Sequence, residues 1–134
     1  MAADIVVVDT NVVSYIFKKD TRGELYQPVL DGKLLMIAAQ TLAELELMPL
    51  VNNWGEKRHA ALRSELKKYT IVDTDETVCL FWAEVQANAT KKGFPISVGD
   101  AWIAATALAY DVPLVTHDSD DFKNVPNLTV ITRK

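Results

Sequence analysis

Short runs of branched aliphatic residues, separated by stretches with helical spacing, constrain this chain more than any other feature. Ile5-Val6-Val7-Val8 has the continuous Val/Ile content of a strand buried on both faces, and Val12, Ile16 and Phe17 follow it at helical spacing. The alternation then recurs. A short helix around Leu25, Val29 and Leu30 is ended near Gly32, and Leu34–Ala38 is a second buried strand. Thr70–Val72 is a brief third strand; residues 113–116 and 128–131 supply two more. The spacing predicts helices over 41–51, 55–69, 75–92 and 97–110, and a loop or short turn over 118–123. Thr41 is the expected N-cap of the first of these helices, with Glu44 at the capping-box position. Pro49 is expected to bend or end it, while Gly93 and Pro95 stop the 75–92 helix. Strands separated by helices pair in parallel, so the expected fold is α/β, a three-layer α/β/α sandwich with a mostly parallel central sheet.

With 134 residues, 49% of them apolar, the chain supports one core, read as a single domain over 1–134. A net charge of −4 argues against a general nucleic-acid binder, which neutralises many phosphates with its own basic surface. Any phosphate-bearing substrate therefore needs a cation or a local basic patch. Cys79 is the only cysteine, so neither an internal disulfide nor a thiolate zinc site forms, and a small buried hydrophobe is the expected role. The N-terminal apolar run is short, broken by Asp9, and lacks a basic segment before it and a cleavage site after it. The expectation is a soluble, cytoplasmic protein.

Ligands of open parallel sheets gather beyond the carboxyl ends of the strands, so acids placed there are informative. Asp9 directly follows the first strand, and Asp118 directly follows Leu114-Val115-Thr116. Asp100 and Glu44 fall in the first turns of the helices predicted over 97–110 and 41–51. Each has an ordinary explanation taken alone: Asp9 as a helix cap, Glu44 as the capping-box partner of Thr41, Asp100 as complement to a helix dipole. Taken together, four carboxylates at one edge of one sheet repel one another unless a cation sits among them.

These segments resemble a known family. Val8-Asp9-Thr10-Asn11, Thr41-Leu42-Ala43-Glu44-Leu45, Gly99-Asp100-Ala101-Trp102-Ile103-Ala104-Ala105-Thr106-Ala107 and Leu114-Val115-Thr116-His117-Asp118-Ser119-Asp120-Asp121-Phe122 are similar, in order and spacing, to the motifs of PIN domains and, within them, of the VapC-type toxins of type II toxin–antitoxin pairs. The resemblance covers essentially the whole chain. It implies that Asp9, Glu44, Asp100 and Asp118 are the acidic catalytic and metal-site positions, with Asn11 and Thr116 in support. Asp120 and Asp121 compete for the fourth position, and Asp121-Phe122 looks like the structural pair that follows it. The segment Leu45-Glu46-Leu47-Met48-Pro49 departs from the family by lacking a glycine. The resemblance further implies a cognate antitoxin and a homodimer; Val12, Ile16, Leu45 and Met48 either serve such contacts or belong to the core.

Four acids without a thiolate suit Mg2+ or Mn2+, hard cations that prefer carboxylate oxygen and water. Such an ion binds a phosphodiester oxygen, lowers the pKa of a bound water and stabilises the leaving oxygen. The expected activity is therefore metal-dependent endoribonuclease hydrolysis of RNA phosphodiester bonds. Asp9 and Asp100 are read as direct ligands, Glu44 as a ligand through water or an orienter of the nucleophile, and Asp118 as completing the shell or a second, weaker metal position. Lys18, Lys19 and Arg22 are the candidate RNA contacts, since they follow the helix that starts at Asp9. The competing reading is a catalytically silent PIN scaffold that binds protein or RNA. A receiver-like domain ranks third, for want of a phosphoacceptor Asp after a central strand and a Lys after a later one. His117 reads as an exposed loop residue, His59 as solvated, and Trp82 and Trp102 as core rather than base-stacking groups.

Overall fold

In the computed structural model, which describes residues 4–134, every predicted strand forms, and all pair in parallel in the order β3-β2-β1-β4-β5. The strands are β1 (Ile5–Val8), β2 (Leu34–Ala38), β3 (Thr70–Val72), β4 (Leu114–Val115) and β5 (Val130–Ile131). The helices are α1 (Thr10–Phe17), α2 (Thr21–Glu24), α3 (Gln27–Leu30), α4 (Ala39–Val51), α5 (Glu56–Leu66), α6 (Glu76–Lys92) and α7 (Val98–Tyr110), with a 3-10 turn at Ser119–Asp121.

The continuous aliphatic runs are explained by a core on each face of the sheet. Val6, Val8, Ile37 and Val115 point to one side, where they pack with Val12, Leu45 and Leu62 from α1, α4 and α5. Val7, Met36, Ala38 and Leu114 point to the other, against Ile103, Ala104 and Ala107 of α7 and the buried Phe122. The expected three layers are present. Val12 and Leu45 are fully buried and Ile16 and Met48 pack against that core, so these four residues are interior rather than a free face.

Several local expectations are corrected. Helix α4 starts at Ala39, because β2 runs straight into it through the extended Ala38, which makes no side-chain cap. Thr41 is thus a fully buried residue within the first turn, not an N-cap, and Glu44 lies one turn deeper with no capping-box role. Pro49 neither ends α4 nor faces water: it is buried, and the helix continues to Val51. Cys79 is exposed on α6, because α6 buries Val78, Val85 and Ala89 instead. Trp82 and Trp102 are half-buried and stack on each other, ring centroids 4.9 Å apart, so each covers a face of its partner. Among the described residues, no helix is long and apolar enough to cross a membrane.

Candidate functional site

The chain runs outward from β1 through β2 to β3 on one side, then returns to lay β4 and β5 on the other. The crevice between the ends of β1 and β4 is the switch point where such sheets bind ligands. Asp9 and Thr116 stand on either side of it, and the Asp9 amide donates to the Val115 carbonyl at 2.9 Å.

Asp9 is only 5% exposed. Its Oδ1 accepts the Thr10 amide at 2.7 Å, which caps α1, and its Oδ2 accepts the Thr116 hydroxyl at 2.7 Å. Capping and site placement are therefore both true of this residue. Burial pushes its carboxyl up to about 6; the Thr116 and Thr10 bonds oppose that rise, and the charges of Asp100 and Glu44 add to it. Those two acids come from α7 and α4, far apart in sequence.

Glu44 is held from two sides. Thr10 donates its hydroxyl to Oε1, and the Gln40 amide donates to Oε2 at 3.1 Å. The start of α7 lies directly over it, since a side-chain carbon added at Gly99 would stand 3.3 Å from Glu44 Oε2. Asp100, the next residue, is half-buried, and its amide donates to the Ser97 hydroxyl that caps α7. Burial raises the Asp100 carboxyl, and the charges of Asp121, Glu44 and Asp118 raise it further.

Asp118 is exposed at the rim. Its Oδ2 accepts from the Asn11 amide at 3.0 Å, and its backbone N–H donates to the Thr116 hydroxyl at 3.1 Å. Thr116 therefore relays between Asp118 and Asp9, while the Asn11 carbonyl oxygen accepts the His117 N–H at 3.3 Å. His117 is not the free loop residue expected: its Nδ1 lies 2.7 Å from the hydroxyl of the fully buried Tyr26. Tyr26 also donates towards the Arg133 carbonyl, binding the end of β4 to the C-terminal segment. His59 pairs with Glu46 at 3.3 Å.

All four sequence-predicted acids thus reach the same edge, and Asp121 joins them. Among the described residues, however, no three His, Cys, Asp or Glu side chains are gathered closely enough to hold an ion in their present orientations. Their oxygens face Thr10, Thr116, Gln40 and Asn11 instead. Of the candidate RNA contacts, Lys18 and Lys19 are exposed. Arg22 is tied to Asp20 through Nε at 3.0 Å and Nη2 at 2.7 Å, and its guanidinium lies 3.9 Å from the Tyr15 ring centre. That pairing holds the Asp20 carboxyl down to about 2. Sequence reasoning missed Thr10, Gln40 and Tyr26; Thr10, inside Asp9-Thr10-Asn11, and Gln40, four residues before Glu44, had local signals, and Tyr26 had none.

A three-layer α/β/α domain with acids converging at its switch point matches the PIN domain profile over residues 6–128, and the chain belongs to the PIN domain family. Within that family its relatives carry VapC names. It is 26% identical to ribonuclease VapC1 of Haemophilus influenzae over 126 residues, covering 92% of this chain and 94% of the relative. Ribonuclease VapC2 of Rickettsia felis is 27% identical over the same length and coverage. The fold superposes with a TM-score of 0.85 on VapBC2 from Rickettsia felis bound to a promoter DNA fragment, at 25% identity, covering 96% of this chain and 98% of that one.

Proposed function

We propose that this chain is a divalent-metal-dependent ribonuclease that hydrolyses RNA phosphodiester bonds and serves as the toxin of a toxin–antitoxin pair. The observation that carries the reading is the meeting of Asp9, Glu44 and Asp100, from three separate elements, at one edge of the sheet, where burial raises the Asp9 and Asp100 carboxyls and the charge of Glu44 adds to each rise. The VapC names of the relatives and the VapBC assembly of a structural neighbour support the toxin role and a cognate antitoxin partner.

The residues fit Mg2+ or Mn2+ on two counts. The donor set is entirely oxygen, as hard cations require, and an ion would relieve a repulsion that the protein's own hydrogen bonds leave in place. Asp9 and Asp100 would hold it, Glu44 and Asp118 would complete the shell directly or through water, and Asn11 and Thr116 would orient the carboxylates. Such an ion supplies a more acidic bound water and charge neutralisation at phosphorus. The chain's own contribution is orientation: Thr116 fixes Asp9, and Thr10 with Gln40 fixes Glu44. Lys18, Lys19 and Arg22 would meet the RNA backbone beyond the acids, and a homodimer is the proposed assembly.

Calorimetric titration of manganese into the purified chain and into Asp9→Asn, followed by incubation of both with total RNA, tests the reading. Saturable binding and cleavage are expected in the parent and neither in the variant. A folded parent that binds no manganese contradicts the reading and favours the silent scaffold.

A further inference from the structure

A cleft of about 260 Å³ opens beside Asp100, between α6, the α6–α7 link and the turn after β4. One wall is apolar, formed by Val85 and Ala89 of α6 with Phe94, Pro95 and Ile96. Asp120, Asp121 and Asn124 from the turn after β4 also line it, as do Ser97 and Asp100 at the start of α7. The cleft is therefore continuous with the acidic site.

Phe94 is the member that needs explaining, because so large an apolar side chain is 51% exposed. Gly93, at φ 72°, ends α6 in the left-handed conformation, and the Phe94 N–H then donates to the Ala89 carbonyl at 3.1 Å. Pro95 restricts Phe94 to extended backbone, and Ser97 starts α7 two residues later. An aromatic face is thus presented to solvent by a stiff link that also sets the position of Asp100.

We propose that this cleft holds one unpaired nucleobase of the RNA substrate, next to the scissile phosphate, stacked on Phe94. The charge on its walls selects that part of a nucleotide. Its lining has three aspartates and no basic residue, so it repels phosphate and accepts a neutral, planar group with hydrogen-bond donors at its edge. Guanine matches best, since its N1–H and N2–H lie side by side and meet one carboxylate, that of Asp120 or Asp121, in two parallel bonds. The Asn88 amide reaches the Asn124 carbonyl only at 3.5 Å, the outer limit of a hydrogen bond, and is available to a base edge. Recognition of splayed single-stranded bases on aromatic platforms is how proteins commonly read RNA. The proposal rests on the ribonuclease reading, which places the phosphate at the acids.

The test measures fluorescence anisotropy of a labelled, guanine-containing single-stranded RNA decamer with the full chain, in calcium to limit turnover, with manganese calorimetry run in parallel. Phe94→Ala should weaken RNA binding about tenfold, the loss of one base–aromatic stack. Phe94→Trp should retain binding, as should Leu80→Ala, which removes another exposed apolar side chain away from the cleft. All variants should bind manganese like the parent. Replacing the guanines by uridine should weaken binding to the parent; equal binding overturns the donor-edge assignment. Parent-like RNA binding by Phe94→Ala overturns the cleft and leaves the ribonuclease reading standing. A parent that binds neither manganese nor RNA overturns both.

Discussion

Asp9 shows at the scale of one residue how the proposed metal-binding role opposes stability. Its carboxyl is buried and titrates near 6 rather than 3.8, so at neutral pH the free protein holds a charge that its surroundings disfavour. Asp9→Asn removes that charge and keeps an oxygen for one of the two bonds Asp9 accepts. The variant is expected to be more stable than the metal-free parent by about 1–2 kcal/mol above pH 6 in urea denaturation, while losing manganese binding. Thr116→Val has the opposite sign. It removes the donor to Asp9 and leaves the Asp118 N–H without its acceptor. A loss of about 1–2 kcal/mol is expected, with Thr116→Ser restoring most of it; equal stability of all three proteins would show that Thr116 does not support Asp9.

At the scale of elements, what the sequence could reveal was what lies close together in it. Strands β1 and β2 were legible because burial on both faces demands uninterrupted aliphatic runs, and α6 and α7 because Asp75, Ser97 and Gly93 mark their ends chemically. The start of α4 was not legible: Ala38 makes no side-chain cap, and the cap-like Thr41 is instead a buried residue whose hydroxyl lies 3.1 Å from that of Thr10. That contact joins residues 31 apart in sequence, with α2, α3 and β2 between them, and leaves no local pattern. The tight seating of α2 on α1 was equally hidden. A side-chain carbon at Gly23 would stand 2.9 Å from the backbone of Tyr15 and Ile16, which cannot yield as a flexible side chain would. Gly23→Ala should therefore cost about 1–3 kcal/mol in thermal or chemical denaturation, despite alanine's better helix propensity; a neutral outcome would mean that α2 shifts freely on α1.

At the scale of the whole molecule, the site exists because the topology folds distant acids onto one switch point. The four acids were readable as positions after strands and in early helical turns, and Asn11 as a supporting residue; Gln40 meets Glu44 one helical turn away, whereas the Thr10 contact to Glu44 follows only from the packing of α1 on α4. On the proposed reading, this arrangement couples folding, protons and metal. The unfolded chain releases the Asp9 proton near 3.8 and the native chain near 6, so between those values the native state binds more protons. The stability of the metal-free parent, relative to Asp9→Asn, should therefore fall as pH rises from about 4 to about 6 and stay low above it, by no more than about 3 kcal/mol. Asp100, shifted in the same direction, adds a fall common to both proteins. A bound cation reverses the preference, since it needs the carboxylates ionised. Manganese at about 100 times its dissociation constant should add about 2.7 kcal/mol at pH 7.5, and its affinity should drop about tenfold per pH unit below 6 as a proton competes for Asp9. Melting curves of parent and Asp9→Asn at pH 5 and pH 7.5, with and without manganese, test this directly. A parent whose melting point ignores manganese at both pH values would mean that the acids repel one another for some purpose other than holding a cation.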